Sequence, residues 1–163
     1  LLDDATRLDR ERHALAGSVD DFTQEFLAGL ARIPDEEVRW PEARIALSPR
    51  ARVVHGAHDW ETWLAGEGDG RAAPEPADTF HLLTTTGRRV SVRRLSAFAA
   101  LVLQAVESPA TLDEVVDRVE EAVSSDGQGP SREWLDDRVT EQLRQAYRAG
   151  FITVAHDVTA GAA

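Results

Sequence analysis

The sequence predicts an α+β protein, and three observations carry that prediction. Apolar residues recur at spacings of three and four over residues 3–33 and again over 93–149, short β-type runs sit between turn residues, and several helix boundaries carry recognisable caps. In chain order these give an N-terminal helical segment, a small β-hairpin, a second hairpin, three helices and a short terminal strand. No internal repeat is present.

Residues 3 to 33 read as helical, with a break at Gly17 and a restart at Ser18, which caps a first turn containing Asp20 and Asp21. Val19, Phe22, Phe26, Leu27, Leu30 and Ile33 form one apolar stripe that must be covered by the rest of the chain or by another protein. Pro34 ends it. Arg44–Leu47 and Arg52–Val54 then read as extended pieces around the turn Ser48-Pro49-Arg50, which predicts the small hairpin. His58 to Ala65 suits a short helix presenting Trp60, Trp63 and Leu64. Gly66 to Asp78 is rich in glycine, proline and acid and reads as a linker or loop.

Thr79–Thr84 and Arg88–Val92 are β-type runs around Thr85-Thr86-Gly87, the second hairpin signal. Arg93 to Glu107 shifts to helical spacing and stops at Ser108-Pro109. Thr111 with Glu114 three residues on satisfies the capping-box pattern, and Leu112, Val115, Val116, Val119 and Val123 carry the apolar face that follows. Ser131 can cap a long helix through Ala149, with Gly150 as its left-handed terminator. Phe151–Val154 is strand-like. The predicted organisation is therefore a helical and short β segment over 1–65, a linker over 66–78, a second folded part over 79–155 and a tail over 156–163.

Composition narrows the function classes. A chain of 163 residues with 42% apolar and 29% charged residues suits one compact domain with a short appendage. Its 29 acidic against 18 basic residues give a formal charge of −11, which repels a phosphate backbone unless the cations are gathered on one face. Without cysteine there is no disulfide, thiolate nucleophile or cysteine-bound zinc, and without lysine there is no Schiff base or P-loop lysine. No apolar run approaches the roughly 20 residues of a membrane helix, and the acidic opening lacks signal-peptide character, so a cytoplasmic setting is expected.

One polar cluster invites an enzymatic reading. His55, His58, Asp59 and Glu61 bring two imidazoles and two carboxylates together, which is metal-ligand chemistry. His-x-x-His shares a helical face only if the helix begins before His55, and Gly56 with its β-type neighbours argues against that. The alternative is a turn followed by a short helix whose N-terminal dipole Asp59 and Glu61 complement. Gly66-Glu67-Gly68-Asp69-Gly70 follows a helix and carries two acids, unlike a phosphate loop, and GxSxG is absent. No catalytic residue, metal or cofactor is assigned. Arginines 132, 138, 144 and 148 are interleaved with Glu133, Asp136, Asp137 and Glu141, so a DNA groove would meet mixed charge.

The order hairpin, helix, helix, helix, strand is winged-helix-like and most resembles the PqqD-like precursor-peptide recognition elements of ribosomal peptide modification systems. The likeness spans about Phe80 to Val154 and is carried by FHLLTTTGRRVSV, LSAFAALVLQAV, TLDEVVDRVEEAV and EQLRQAYRAGFITV. It implies a noncatalytic accessory subunit that presents a peptide or protein substrate to a separate modifying enzyme, with the peptide added as a strand beside the third helix. Carried onto this chain, the strand edge involves Arg88, Val90 and Val92, and the helix face involves Leu135, Arg138 and Gln142. The competing reading places Val90 and Leu135 in the core and Arg138 on a solvated face. The segment before residue 79 exceeds the simple family pattern and is expected to dock a catalytic partner or complete the core. Weaker likenesses, to winged-helix parts of JmjC-type oxygenases or of methyltransferases and to an acidic winged-helix regulator, supply the alternatives.

Overall fold

The computed structural model describes residues 1–17, 33–65, 73–86, 89–124 and 129–156. The architecture is α+β, as the sequence predicts, with small antiparallel sheets and helices around them. The chain forms two units, each built from two stretches: 1–31 with 49–100, and 32–48 with 101–163.

In the first unit, helix α1 (Leu2–Gly17) starts with Asp3 and Asp4 in its first turn, where acids complement the helix dipole. Its Ala5, Leu8 and Leu15 recur on one face and pack with Val54, Trp60, Leu83, Val90 and Val92. The helix reaches Gly17, where the sequence places a break, and the described residues pause there. The restart at Ser18 and its stripe fall on residues 18–32, outside the described residues; Ile33 is described, but in no helix.

The sheet beneath α1 has the order β2-β3-β4, where β2 is Ala51–His58, β3 is Pro76–Thr86 and β4 is Arg89–Leu95. Val54 pairs with His81, and Leu83 with Val92, so these residues share one face. Both hairpin strands are longer than their β-type runs. Strand β3 begins at Pro76 because β2 continues past an irregularity at Gly56/His58 to pair His58 with Pro76, a position at the strand start where proline is tolerated. Residues 76–78, expected in the linker, are therefore strand. Strand β4 runs on to Leu95, opposite Phe80, which takes Arg93–Leu95 out of the expected helix. Helix α3 (Ala97–Ala105) starts afterwards, with the Ser96 hydroxyl accepting from the Ala99 amide at 3.1 Å. Between β2 and β3, helix α2 (Trp60–Ala65) forms, starting later than the expected His58 because that residue pairs with Pro76 in the sheet.

The second unit contains strand β1 (Ala43–Leu47), helices α4 (Leu112–Val123) and α5 (Arg132–Ala149), and strand β5 (Ile152–His156). Strands β1 and β2 both form close to where the sequence places them, but they do not pair with each other as the expected small hairpin. β1 pairs antiparallel with β5, from Ala43 opposite His156 to Leu47 opposite Ile152, whereas β2 takes β3. The other edge of β1 is used too: Ile45 exchanges both backbone hydrogen bonds with Ala110 at 2.8 and 2.9 Å, and the Leu47 amide donates to Val106 at 2.7 Å. Ile45 and Ala43 are fully buried. A buried strand needs its backbone groups satisfied on both sides, which a lone two-stranded hairpin does not supply.

The helix caps match the sequence signals. Thr111 and Glu114 form the reciprocal capping box, Ser131 accepts from the Trp134 amide, and Gly150 is left-handed at φ 81°. Leu135, Val139, Leu143, Ala146 and Tyr147 make the buried face of α5. The Tyr147 hydroxyl donates to the Ile33 carbonyl at 2.7 Å, and Arg148 pairs with Asp35 at 2.6 Å. Among the described residues no helix is long and apolar enough to cross a membrane.

Candidate functional site

In an antiparallel strand, alternate residues turn both backbone groups to the same edge, so one assigned bond fixes the direction of the others. The Arg94 amide of β4 donates to Glu61 Oε2 at 2.8 Å, away from β3. By the same parity Val92 and Val90 also direct their N–H and C=O groups to the outer edge, while Arg89, Ser91, Arg93 and Leu95 bond to β3. Thr85 gives a check from the other side, since its amide donates to Arg50 at 3.0 Å and so belongs to the residues of β3 that face β2. Strand β4 ends the sheet order, and among the described residues no strand pairs with its outer edge.

The valine side chains and the valine backbones serve different ends. Val90, as the core reading anticipates, and Val92 pack beneath α1 against the apolar cluster, while their amides and carbonyls point sideways along the edge. On the opposite face Arg89, Ser91 and Arg93 are exposed. Helix α2 stands at the Leu95 end of this edge. It holds Glu61 on the Arg94 amide, and Asp59 just before it meets the Arg94 guanidinium at 3.3 Å. Trp63 and Leu64 of α2 are each 38% exposed.

On the far edge of the same sheet, α1 engages the His55–Ala57 end of β2. Asp4 Oδ2 accepts from the Ala57 amide at 3.1 Å, from His58 Nδ1 at 2.9 Å and from Trp60 Nε1 at 2.8 Å. Arg7 bridges Asp4 Oδ1 at 2.8 Å and the His55 carbonyl at 2.6 Å. Two outward backbone groups of β2 are thereby satisfied by side chains. Asp4 is only 8% exposed. Burial pushes its pKa up, but the hydrogen bonds from His58, Trp60, Arg7 and Ala57 outweigh it and hold the carboxyl at about 2.

His81 lies beside this network and is fully buried. Its Nε2 accepts from the Trp60 amide at 3.2 Å, which leaves the ring proton on Nδ1. Burial lowers its pKa, against the opposing influence of Asp59, Asp4 and Glu61 and with a smaller contribution from Arg94. Gly56 lies against the ring: a Cβ there would come within 3.3 Å of Nδ1.

The histidines singled out in the sequence take separate partners. His55 is exposed, meets Asp78 and lies against the Phe80 ring, while His58 turns to Asp4. Their strand conformation agrees with the objection to a helical His-x-x-His face. Among the described residues no three histidine, aspartate or glutamate side chains are gathered for a metal ion.

Of the six residues assigned to peptide binding, Val90 and Val92 present open backbone groups, and Arg88 lies outside the described residues. Leu135 is fully buried on α5 and serves the interior. Arg138 is exposed with its guanidinium over the Trp134 ring, 5.6 Å from the centroid, and Gln142 is half-buried. These three lie in the second unit and the valines in the first. The sequence reading missed Asp4, Arg7 and His81. Asp4 and Arg7 carried a faint signal, an acid and a base three apart in a first turn, but nothing local connected them to β2.

Compared with known proteins, the chain matches no protein-family model and no curated protein.

Proposed function

We propose that this chain is a noncatalytic peptide-binding accessory subunit, one that presents a substrate peptide to a separate modifying enzyme, and that β4 is the strand to which the peptide adds. The observation that carries this reading is the outer edge of β4, where the backbone groups of Val90 and Val92 face away from the sheet. On β4 Glu61 takes the Arg94 amide and leaves the Val90 and Val92 backbone groups facing outward, while on β2 Asp4 and Arg7 of α1 engage the Ala57 amide and the His55 carbonyl. An open edge of this kind pairs with any extended backbone, and adjoining side chains add selectivity. Each ladder bond contributes about 0.5–1.5 kcal/mol net, so two valines offering both donor and acceptor give affinity without requiring a deep pocket.

The test uses peptides encoded by short reading frames beside the gene, titrated into isotopically labelled protein. Binding is expected to slow hydrogen exchange at the Val90 and Val92 amides and shift their resonances, and a peptide N-methylated at alternate positions is expected to bind more weakly. Co-purification of the bound complex with a modifying enzyme encoded nearby checks the presenting role. Failure of every such peptide to protect either amide would refute the reading.

A further inference from the structure

We infer that protonation of His81 is a pH-sensitive gate on the β4 edge, releasing Glu61 from the Arg94 amide and lengthening the open edge from Val90 and Val92 to Arg94. This rests on the edge-pairing reading above and names its regulation. His81 is fully buried in the middle strand of the sheet, directly opposite Arg94 in register, and so connects the interior to the edge residue that Glu61 covers. The neutral ring is satisfied at one nitrogen. Nε2 accepts from the amide of Trp60, the first residue of α2, while Nδ1 has no hydrogen-bond partner among the described residues.

A proton added to this ring goes to Nε2, where it sets one N–H against another across 3.2 Å. Movement of the ring towards β2 is hindered by Gly56, where even a Cβ would stand only 3.3 Å from Nδ1. The conflict therefore falls on α2, whose first turn carries both the Trp60 amide and Glu61. A buried imidazolium also needs an anion beside it. The charged groups that face His81 are Asp59 and Glu61 at the head of α2, Asp4 of α1 and the Arg94 guanidinium of β4; on β2, His58 is turned to Asp4. Asp4 already takes four hydrogen bonds, one of them from the Arg7 guanidinium, and Asp59 is paired with the Arg94 guanidinium. Glu61 is bonded to an uncharged backbone amide, a weaker hold, so it is the carboxylate that the new charge draws away. The outward groups of Arg94 are then left to an added strand. Burial lowers the His81 pKa from its ordinary 6.5, so the gate is shut at neutral pH and opens in acid.

The experiment follows the His81 ring and the Arg94 amide of the intact protein by NMR as the pH is lowered from about 7.5 to about 5. Corrected for the intrinsic pH dependence of exchange, protection of the Arg94 amide is expected to fall about threefold with the same midpoint as the ring, as loss of one hydrogen bond allows. His81→Gln keeps an acceptor for the Trp60 amide and takes up no proton, and Glu61→Gln keeps an acceptor for Arg94 without the charge; both are expected to abolish the response. A capped Thr-Val-Thr-Val-Thr peptide, which has no titratable group, is expected to bind about threefold more tightly once the ring is protonated, through one further ladder bond. By reciprocity the bound peptide raises the midpoint of His81 by about 0.5 pH unit. An Arg94 amide that keeps its protection after the ring has titrated, an equal response in His81→Gln, or a ring that stays neutral until the protein unfolds would overturn the gate; the open-edge reading stands if Val90 and Val92 are still protected by peptide. Absence of protection at both valines with every peptide, while the Arg94 amide responds to pH, would overturn the edge reading and with it a gate on peptide binding.

Discussion

Replacing Asp4 with asparagine tests how α1 is fastened to the β2 edge of the sheet. The carboxylate takes three hydrogen bonds on Oδ2 and a fourth, from Arg7, on Oδ1. Asparagine can keep one oxygen in place for the Ala57, His58 and Trp60 donors, but it then turns an amide N–H2 towards the Arg7 guanidinium and removes the charge. At about 1.4 kcal/mol per tenfold change in proton affinity, the fall from the ordinary 3.8 to about 2 corresponds to about 2.5 kcal/mol. Half-exposed Arg7 is screened by water, which brings the expected loss in Asp4→Asn at neutral pH to about 2 kcal/mol. Because the folded protein binds this proton less readily than the unfolded chain, the stabilisation is present above pH 3.8 and fades as pH falls through about 2. Urea denaturation over a pH series should therefore show two curves that converge on the acid side. Hydrogen exchange at Ala57 should rise in the variant, since its amide loses part of its acceptor. A variant within about 0.5 kcal/mol of the parent at neutral pH, with an unchanged acid limb, would refute the assignment of Asp4 as the anion that fastens α1 to β2.

Two further outcomes concern the buried histidine. His81 is harder to protonate in the fold than at its ordinary 6.5, so its contribution is present above pH 6.5 and is lost as pH drops below that value, by up to about 1.4 kcal/mol per pH unit. His81→Gln retains an acceptor for the Trp60 amide and is expected to flatten the stability profile between neutral and mildly acidic pH in denaturant titrations; an unaltered slope would place the pH dependence elsewhere. Gly56→Ala puts a methyl group 3.3 Å from His81 Nδ1 and 3.4 Å from Cε1, and is expected to cost about 1–2 kcal/mol in thermal or urea unfolding, with a displaced His81 ring resonance. A neutral effect would show that the ring yields freely.

Much of the secondary structure was legible because its causes are local. Thr111 and Glu114 announce a helix start, Gly150 supplies the left-handed stop after α5, and the alternation around Gly87 announces a hairpin. Element ends were less legible where a neighbour decides them. Arg93–Leu95 fit a helical spacing, yet their backbone is held by pairing with Leu82–Phe80, and Ser96 offers the cap that starts the helix afterwards. The candidate site shows the same division. Val90 and Val92 were identifiable as alternating strand residues, and their cationic neighbours were plain in the sequence. That their backbones face outward follows from the Arg94–Glu61 and Thr85–Arg50 bonds taken with the strand register.

The sequence by itself determined the α+β class, the caps, the acidic balance, and the absence of cysteine and lysine chemistry, because each depends on residue type and short-range spacing. The tertiary structure decided which strands meet. Ser48-Pro49-Arg50 supports a turn equally well whether β1 and β2 pair or part, and the choice rests on whether β5, Ala110 and Val106 can satisfy β1 on both sides. It likewise decided that Asp4, 53 positions from Ala57, takes one amide of one sheet edge and that Glu61 takes one amide of the other. Backbone hydrogen-bonding groups are identical in every residue but proline, so the sequence cannot mark which of them remain open, and only the arrangement of the chain in space does so.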